Sequence, residues 1–193
     1  MSNVRCFFCV MLSPALEKSL SDWIDGSRPR APHWRWVSRS SLHITLRFCG
    51  EIPAAQVKDL SGRVKNAIFE RGCAPFELSL QTPGTFGSPP RVFLAGVTDA
   101  SGSLKKLNAL IEQACGDVGL ERERKRFSPH ITLARISSAH SRDDAAVCGA
   151  PWSLTGAAWQ VDSVVFMRSH LTETGPRYFP MAKYALRADA RVL

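Results

Sequence analysis

Hydrophobic positions along this chain switch between a strand period and a helix period, and their order predicts its elements. Arg5 to Leu12 is a continuous apolar run, the pattern of a central strand. Pro14 can open a helix with Ser13 as its cap. Leu16, Leu20, Trp23 and Ile24 then recur on one face of it. Gly26 to Pro32 reads as a basic loop, Trp34 to Val37 as a short strand, and Leu42 to Phe48 as a strand ended by Gly50. Pro53 opens a second helix, carrying Val57, Leu60, Val64, Ala67 and Ile68 at helical spacing, with Gly72 past its end. Phe76, Leu78 and Leu80 alternate with polar residues and predict a strand. Thr82 to Pro90 is a Gly- and Pro-containing loop, and Arg91 to Val97 a further apolar strand. Leu104, Leu107, Leu110 and Ile111 mark a third helix. The charged run Glu121 to Arg126 has the composition of a solvated face. It leads to Phe127-Ser128-Pro129, where the proline biases Ser128 towards an extended backbone and a strand closed by Arg135. Ser137 to Cys148 is polar, a short helix or loop. Val161 to Met167 and Tyr178 to Leu186 read as strands on either side of a turn at Gly175-Pro176. Helices set among strands joined by short turns favour an α+β architecture of antiparallel sheets over a doubly wound parallel one.

One strand pattern occurs twice. His43-Ile44-Thr45-Leu46 returns as His130-Ile131-Thr132-Leu133. Side chains on a strand alternate faces, so each copy sets an imidazole and a hydroxyl side by side, roughly 7 Å apart along the backbone. Ile and Leu in each copy face the other way, towards a core. The 193 residues form one domain by length alone. The repeat predicts that this domain, residues 1–193, is made of two similar lobes, each carrying one copy.

Charge and cysteine content narrow the setting. The formal net charge is +8, which favours a polyanionic partner, nucleic acid first. No apolar run approaches the roughly 20 residues that span a bilayer. Met1 to Leu12 lacks a basic leader and a small-residue cleavage site, and so reads as a first strand, not a signal peptide. The expected setting is the cytoplasm, with the six cysteines as free thiols and the protein a monomer. Cys6 and Cys9 have C-x-x-C spacing, but on a strand such positions face opposite ways and suit no zinc site.

Paired imidazoles titrating near neutrality can hold one neutral and one charged ring, the equipment of a general base and a general acid. Threonine hydroxyls suit non-bridging phosphate oxygens. Together they fit in-line opening of a cyclic phosphodiester by water. One histidine takes the proton of the water and the other protonates the leaving ribose oxygen. No carboxylate cluster or Gly-rich phosphate loop calls for a metal or nucleotide cofactor. His33, His140 and His170 fall in expected loops and add no ligand set. Phe48 and Phe127 are candidates to stack on a base, with core packing the alternative use of each. Arg91 and Arg126 are candidates for phosphate-backbone contacts, with solvated surface the alternative. By strict alternation Arg135 faces away from His130, unless an irregularity at the strand end turns it.

The two H-x-T motifs, with Phe7-Phe8, Arg35-Trp36-Val37, Phe48-Cys49-Gly50, Pro90-Arg91-Val92, Phe127-Ser128-Pro129 and Ser169-His170-Leu171 in order around them, resemble the two-histidine phosphoesterase superfamily. Within it the chain is similar to the RNA 2′,3′-cyclic phosphodiesterases historically named 2′-5′ RNA ligases. The resemblance implies a bilobal α+β fold, two pseudo-twofold-related antiparallel sheets with outer helices around a central cleft. It implies metal- and cofactor-independent hydrolysis of an RNA or nucleotide 2′,3′-cyclic phosphate to a 2′-phosphomonoester. His43 would be the proton donor to the leaving 3′ oxygen and His130 the base, with Thr45 and Thr132 on the phosphate and Arg135 brought to the cleft. Two other readings use the same residues: the reverse reaction, joining tRNA halves through a 2′-5′ bond, and a non-catalytic basic module that holds RNA ends.

Overall fold

The computed structural model describes residues 2–71, 73–137, 151–173 and 175–187. The first apolar run forms strand β1 (Asn3–Met11), and both its faces are covered. Cys6, Phe8 and Val10 point into the main core, while Phe7 and Cys9 join Val165 and Met167 in a smaller cluster on the other face. Ser13 caps helix α1 (Pro14–Ser27) by accepting the Leu16 amide, and Leu16, Leu20 and Ile24 are its buried stripe. Strand β2 (Arg35–Trp36) leads to β3 (His43–Pro53), and helix α2 (Ala54–Arg71) buries Leu60, Val64 and Ile68. Strands β4 (Phe76–Phe86) and β5 (Val92–Thr98) precede helix α3 (Ser103–Asp117). Asp99 accepts the Ser103 and Leu104 amides at the start of α3. Strands β6 (His130–Arg135), β7 (Ala158–Val161), β8 (Ser163–Thr172) and β9 (Gly175–Ala185) complete the described chain.

The strands make one curled antiparallel sheet in the order β7-β4-β5-β6-β3-β1-β8-β9, with β2 added to β6. The expected α+β class with antiparallel pairing is what forms. The two motif strands, β6 and β3, lie side by side at the centre of the order, with three strands outside each. Apolar side chains of both fill the core on the helix face: Ile44, Leu46, Ile131 and Leu133 are all buried. Phe8 stacks on Phe166 at 4.2 Å between neighbouring strands. A second aromatic group, Trp23, Trp34, Trp36 and Phe93, seats the segment before β3.

Several boundaries differ from expectation. Gly50 does not end the first motif strand, which runs to Pro53. Its φ of +74° lies beside a register shift, where Phe7 pairs with Phe48 and Cys6 with Gly50, so the glycine serves a bulge. Most of the expected loop Thr82–Pro90 is strand as far as Phe86, because β4 passes its own irregularity between Leu80 and Pro83 and keeps pairing with β5. Gly26 and Ser27 belong to α1. β7 is too short for its alternation to be read, and His170 lies in β8, not in a loop. Cys6 and Cys9 do face opposite sides of β1, and the five described cysteines are free thiols. Gly72, His140, Cys148 and the rest of the Ser137–Cys148 segment after Ser137 lie outside the described residues.

Candidate active site

β3 and β6 register at Ile44↔Ile131, antiparallel. Continuing that register by one residue in each direction sets His43 across from Thr132 and Thr45 across from His130. Cross-strand neighbours have Cβ atoms about 4.5–5.5 Å apart. The two buried isoleucines are therefore the pivot of a local twofold, and the opposite face carries two imidazoles and two hydroxyls in a diagonal square. The next residues outward explain why the strands part. Pro129 would fall opposite Leu46 and has no N–H to continue the ladder.

Both motif strands carry the same irregularity. Thr45 pairs with Cys9 and Arg47 with Phe8, leaving Leu46 without a partner on β1. Thr132 pairs with Leu94 and Ala134 with Phe93, leaving Leu133 without one on β5. A bulge puts two successive residues on one face and resets the alternation. The carbonyls of the bulged leucines are satisfied from outside the β3–β6 ladder. Asn108 of α3 donates to Leu46 O at 2.8 Å, and the Val37 amide donates to Leu133 O at 2.9 Å. The consequence is chemical. Arg47 turns under the sheet, whereas Phe48 and Arg135 turn to the face of the histidines. Strict alternation would have hidden both, so Arg135 reaches the cleft through the bulge at Leu133.

Each histidine is held the same way. Nδ1 of His43 lies 2.8 Å from Ser41 O, and Nδ1 of His130 lies 2.8 Å from Ser128 O. A carbonyl only accepts, so both Nδ1 atoms carry hydrogen and donate it, and both Nε2 atoms are presented to the cleft. Nε2 of His43 is 3.1 Å from Thr45 Oγ1, which donates to it when the ring is neutral. Aromatic edges flank the rings: Phe7 and Tyr178 lie 4.9 and 5.2 Å from His43, and Phe86 lies 5.0 Å from His130.

Burial pushes the pKa of His43 down to about 4; the Ser41 carbonyl opposes this, and the positive charges of His130 and Arg135 reinforce it. That field requires His130 and Arg135 to lie close to His43, across the cleft. Burial also raises the Tyr178 phenol, against the fields of Arg135 and Arg5. The Arg135 guanidinium has no carboxylate partner among the described residues. Phe48 is 38% exposed beside the site, with Arg5 over its ring at 4.5 Å.

The structure thus gathers His43, Thr45, Phe48, His130, Thr132 and Arg135 on one face. Phe127 is not among them: it packs against the main core and lines a groove beside α3. Core packing is the alternative that the sequence left open for it. Sequence reasoning assigned no part to Arg47, Asn108 and Phe86. Arg47 holds the bulge from below. Its Nε pairs with Glu112 at 2.6 Å, one terminal nitrogen donates to Phe48 O at 2.6 Å, and the other donates to Glu121 O. An arginine directly after H-x-T-x was the available signal, since its burial needs a local carboxylate. No group of three or more metal-ligating side chains occurs among the described residues.

Comparison with known proteins places this arrangement. A sequence model of the 2′-5′ RNA ligase superfamily matches residues 16–173. An RNA 2′,3′-cyclic phosphodiesterase of Thermus thermophilus is 32% identical over 194 residues, covering 96% of this chain and 92% of that one. A protein of the same name from Geobacillus stearothermophilus is 29% identical over 189 residues; the match takes in 96% of this chain and spans 58% of that relative's length. The crystal structure of TT0787 of Thermus thermophilus superposes with a TM-score of 0.80 at 28% identity, over 96% of this chain and 99% of that one. With most of its length matched and the paired motifs at the centre of its sheet, the chain belongs to the 2′-5′ RNA ligase superfamily.

Proposed function

We propose that the chain hydrolyses the 2′,3′-cyclic phosphate end of an RNA or nucleotide to a 2′-phosphomonoester, using its paired histidines. The observation that carries this is the Ile44↔Ile131 register of the two H-x-T strands, with Nδ1 of each histidine held by a backbone carbonyl. In the proposed step, His130 Nε2 takes a proton from water as its oxygen bonds to phosphorus. The P–O3′ bond breaks, and protonated His43 delivers its Nε2 proton to O3′. The rings end with exchanged protonation states, and solvent resets them. Thr45 and Thr132 hold the non-bridging oxygens, joined by Arg135. Phe48 offers the ring on which a base can stack.

His43 is neutral at pH 7 in the free protein, because its pKa lies at about 4. A monoanionic phosphodiester set between the rings opposes both the effect of burial and the repulsion from His130 and Arg135, so substrate binding raises the pKa of His43 and the ring takes up a proton from solvent. Thr45 then releases Nε2 and turns its hydroxyl to the phosphate. Both imidazoles lie on one chain, so a monomer suffices. No helix among the described residues is long and apolar enough to cross a membrane, and the free thiols fit a cytoplasmic setting.

The test is turnover of a 2′,3′-cyclic nucleotide by the wild type, His43→Ala and His130→Ala. Each substitution lowers kcat by roughly 10²–10⁴ or more, with nucleotide binding largely kept. Turnover indifferent to His130→Ala contradicts the acid and base roles.

A further inference from the structure

The segment between α3 and β6 sorts its charges. Residues 121–126 are all exposed, and Arg122, Arg124, Lys125 and Arg126 pair with no carboxylate among the described residues. Of its two acidic residues, both exposed, Glu123 lies 3.9 Å from Arg47 and accepts the Lys125 amide. This strap and α3 enclose a groove of about 900 Å³, lined by Lys105, Asn108, Arg122, Arg124 and Arg126 and reaching Pro129, the residue before His130. Its acidic walls are already engaged. Glu112 is ion-paired with Arg47 at 2.6 Å, and Asp99 caps α3. Five lining cations, Lys105, Arg122, Arg124, Lys125 and Arg126, outnumber the acids Asp99, Glu112 and Glu123, so the net charge of the groove is positive. Arg39, on the segment before β3, is by contrast held by Glu17 at 3.3 Å and donates to Pro14 O.

We propose that this basic strap is the track for the RNA strand on the 5′ side of the reacting terminus, binding its phosphodiester backbone as the strand leaves the cleft past His130. The proposal rests on the cyclic-phosphate reading of the site and adds the surface, outside the cleft, that holds the strand. Four unpaired cations within five residues give a sequence-independent, salt-sensitive grip. A mononucleotide ends at the cleft and does not reach them. The preference for oligonucleotides therefore rises with length and levels off at about four nucleotides, the lower end of single-strand site sizes.

The experiment uses the full chain and a variant with Arg122→Gln, Arg124→Gln, Lys125→Gln and Arg126→Gln. Three readouts are compared: hydrolysis of a 2′,3′-cyclic mononucleotide, hydrolysis of an oligoribonucleotide ending in a 2′,3′-cyclic phosphate, and binding of the same oligoribonucleotide with a 3′-hydroxyl end. The expected result is unchanged mononucleotide turnover, which also reports a folded variant. KM for the cyclic-ended oligonucleotide rises roughly 10- to 100-fold with kcat retained. The log–log salt slope of binding flattens by about 3, from four lost contacts at about 0.7 each. An unchanged ratio of oligonucleotide to mononucleotide kcat/KM, with an unchanged salt slope, overturns the proposal. If the wild type hydrolyses neither substrate, the reading of the cleft fails, while the binding arm still decides the strap.

Discussion

At the scale of single residues, the pair of histidines is symmetric in position, and burial lowers the pKa of His43. Titration of His43 by NMR in the free protein is expected to give a pKa of about 4, rising when inorganic phosphate fills the cleft. Arg135→Gln removes a positive neighbour and raises the free value. A value near 6.5 in the free wild type contradicts that burial and that field. The same shift has a sign for stability. In the unfolded chain the ring binds its proton below about 6.5, and in the folded chain only below about 4, so the unfolded state binds more protons in between. The stability is intact above pH 6.5 and falls as the pH drops through that window, by about 3 kcal/mol in all. Urea unfolding at pH 7 and pH 4.5 shows this loss, and His43→Gln removes most of it. The identities of His43, Thr45, His130 and Thr132 were legible because period-two alternation is a local property of four residues. The lowered pKa of His43 was not, because burial and the field of Arg135 come from strands distant in sequence.

At the scale of elements, the site is made by two bulges. Leu46 and Leu133 each drop out of register with one neighbour, and this alone turns Phe48 and Arg135 to the histidine face. Arg47 and Asn108 hold the first bulge from beneath. Asn108→Ala leaves the Leu46 carbonyl without its donor and costs about 1–3 kcal/mol. Arg47→Met strands Glu112 and costs more, about 3–5 kcal/mol. Thermal or urea unfolding ranks the two, and equal, negligible effects contradict a structural role for the bulge. Strands read from alternation alone stop or flip where a bulge intervenes. That is why Gly50 read as an end, Thr82–Phe86 as a loop and Arg135 as facing away. The helices were read more fully, because Ser13 and the leucine stripes of α1 and α3 are signals internal to each element.

At the scale of the whole molecule, the two motif strands meet at one registered pair, Ile44 and Ile131, both fully buried. Ile131→Ala deletes buried methyl groups at the pivot and costs about 2–5 kcal/mol. It also lowers kcat/KM at temperatures where the variant remains folded, because it frees the distance between the imidazoles. Repetition of the motif led to the expectation of two related lobes, and antiparallel pairing followed from short turns. Sequence did not show that the two copies are adjacent strands of one sheet, since that depends on pairing across the intervening α2, β4, β5 and α3. Nor did it show that Phe127 joins the core while Arg135 joins the cleft. The central claim is chemical, and the most direct measurement is product identification after incubation with a 2′,3′-cyclic nucleotide in the presence of a chelator. Paired-histidine hydrolysis predicts a 2′-phosphomonoester, formed at an undiminished rate with metal removed. A 3′-phosphomonoester, or activity that vanishes with the chelator and returns with a divalent cation, contradicts it.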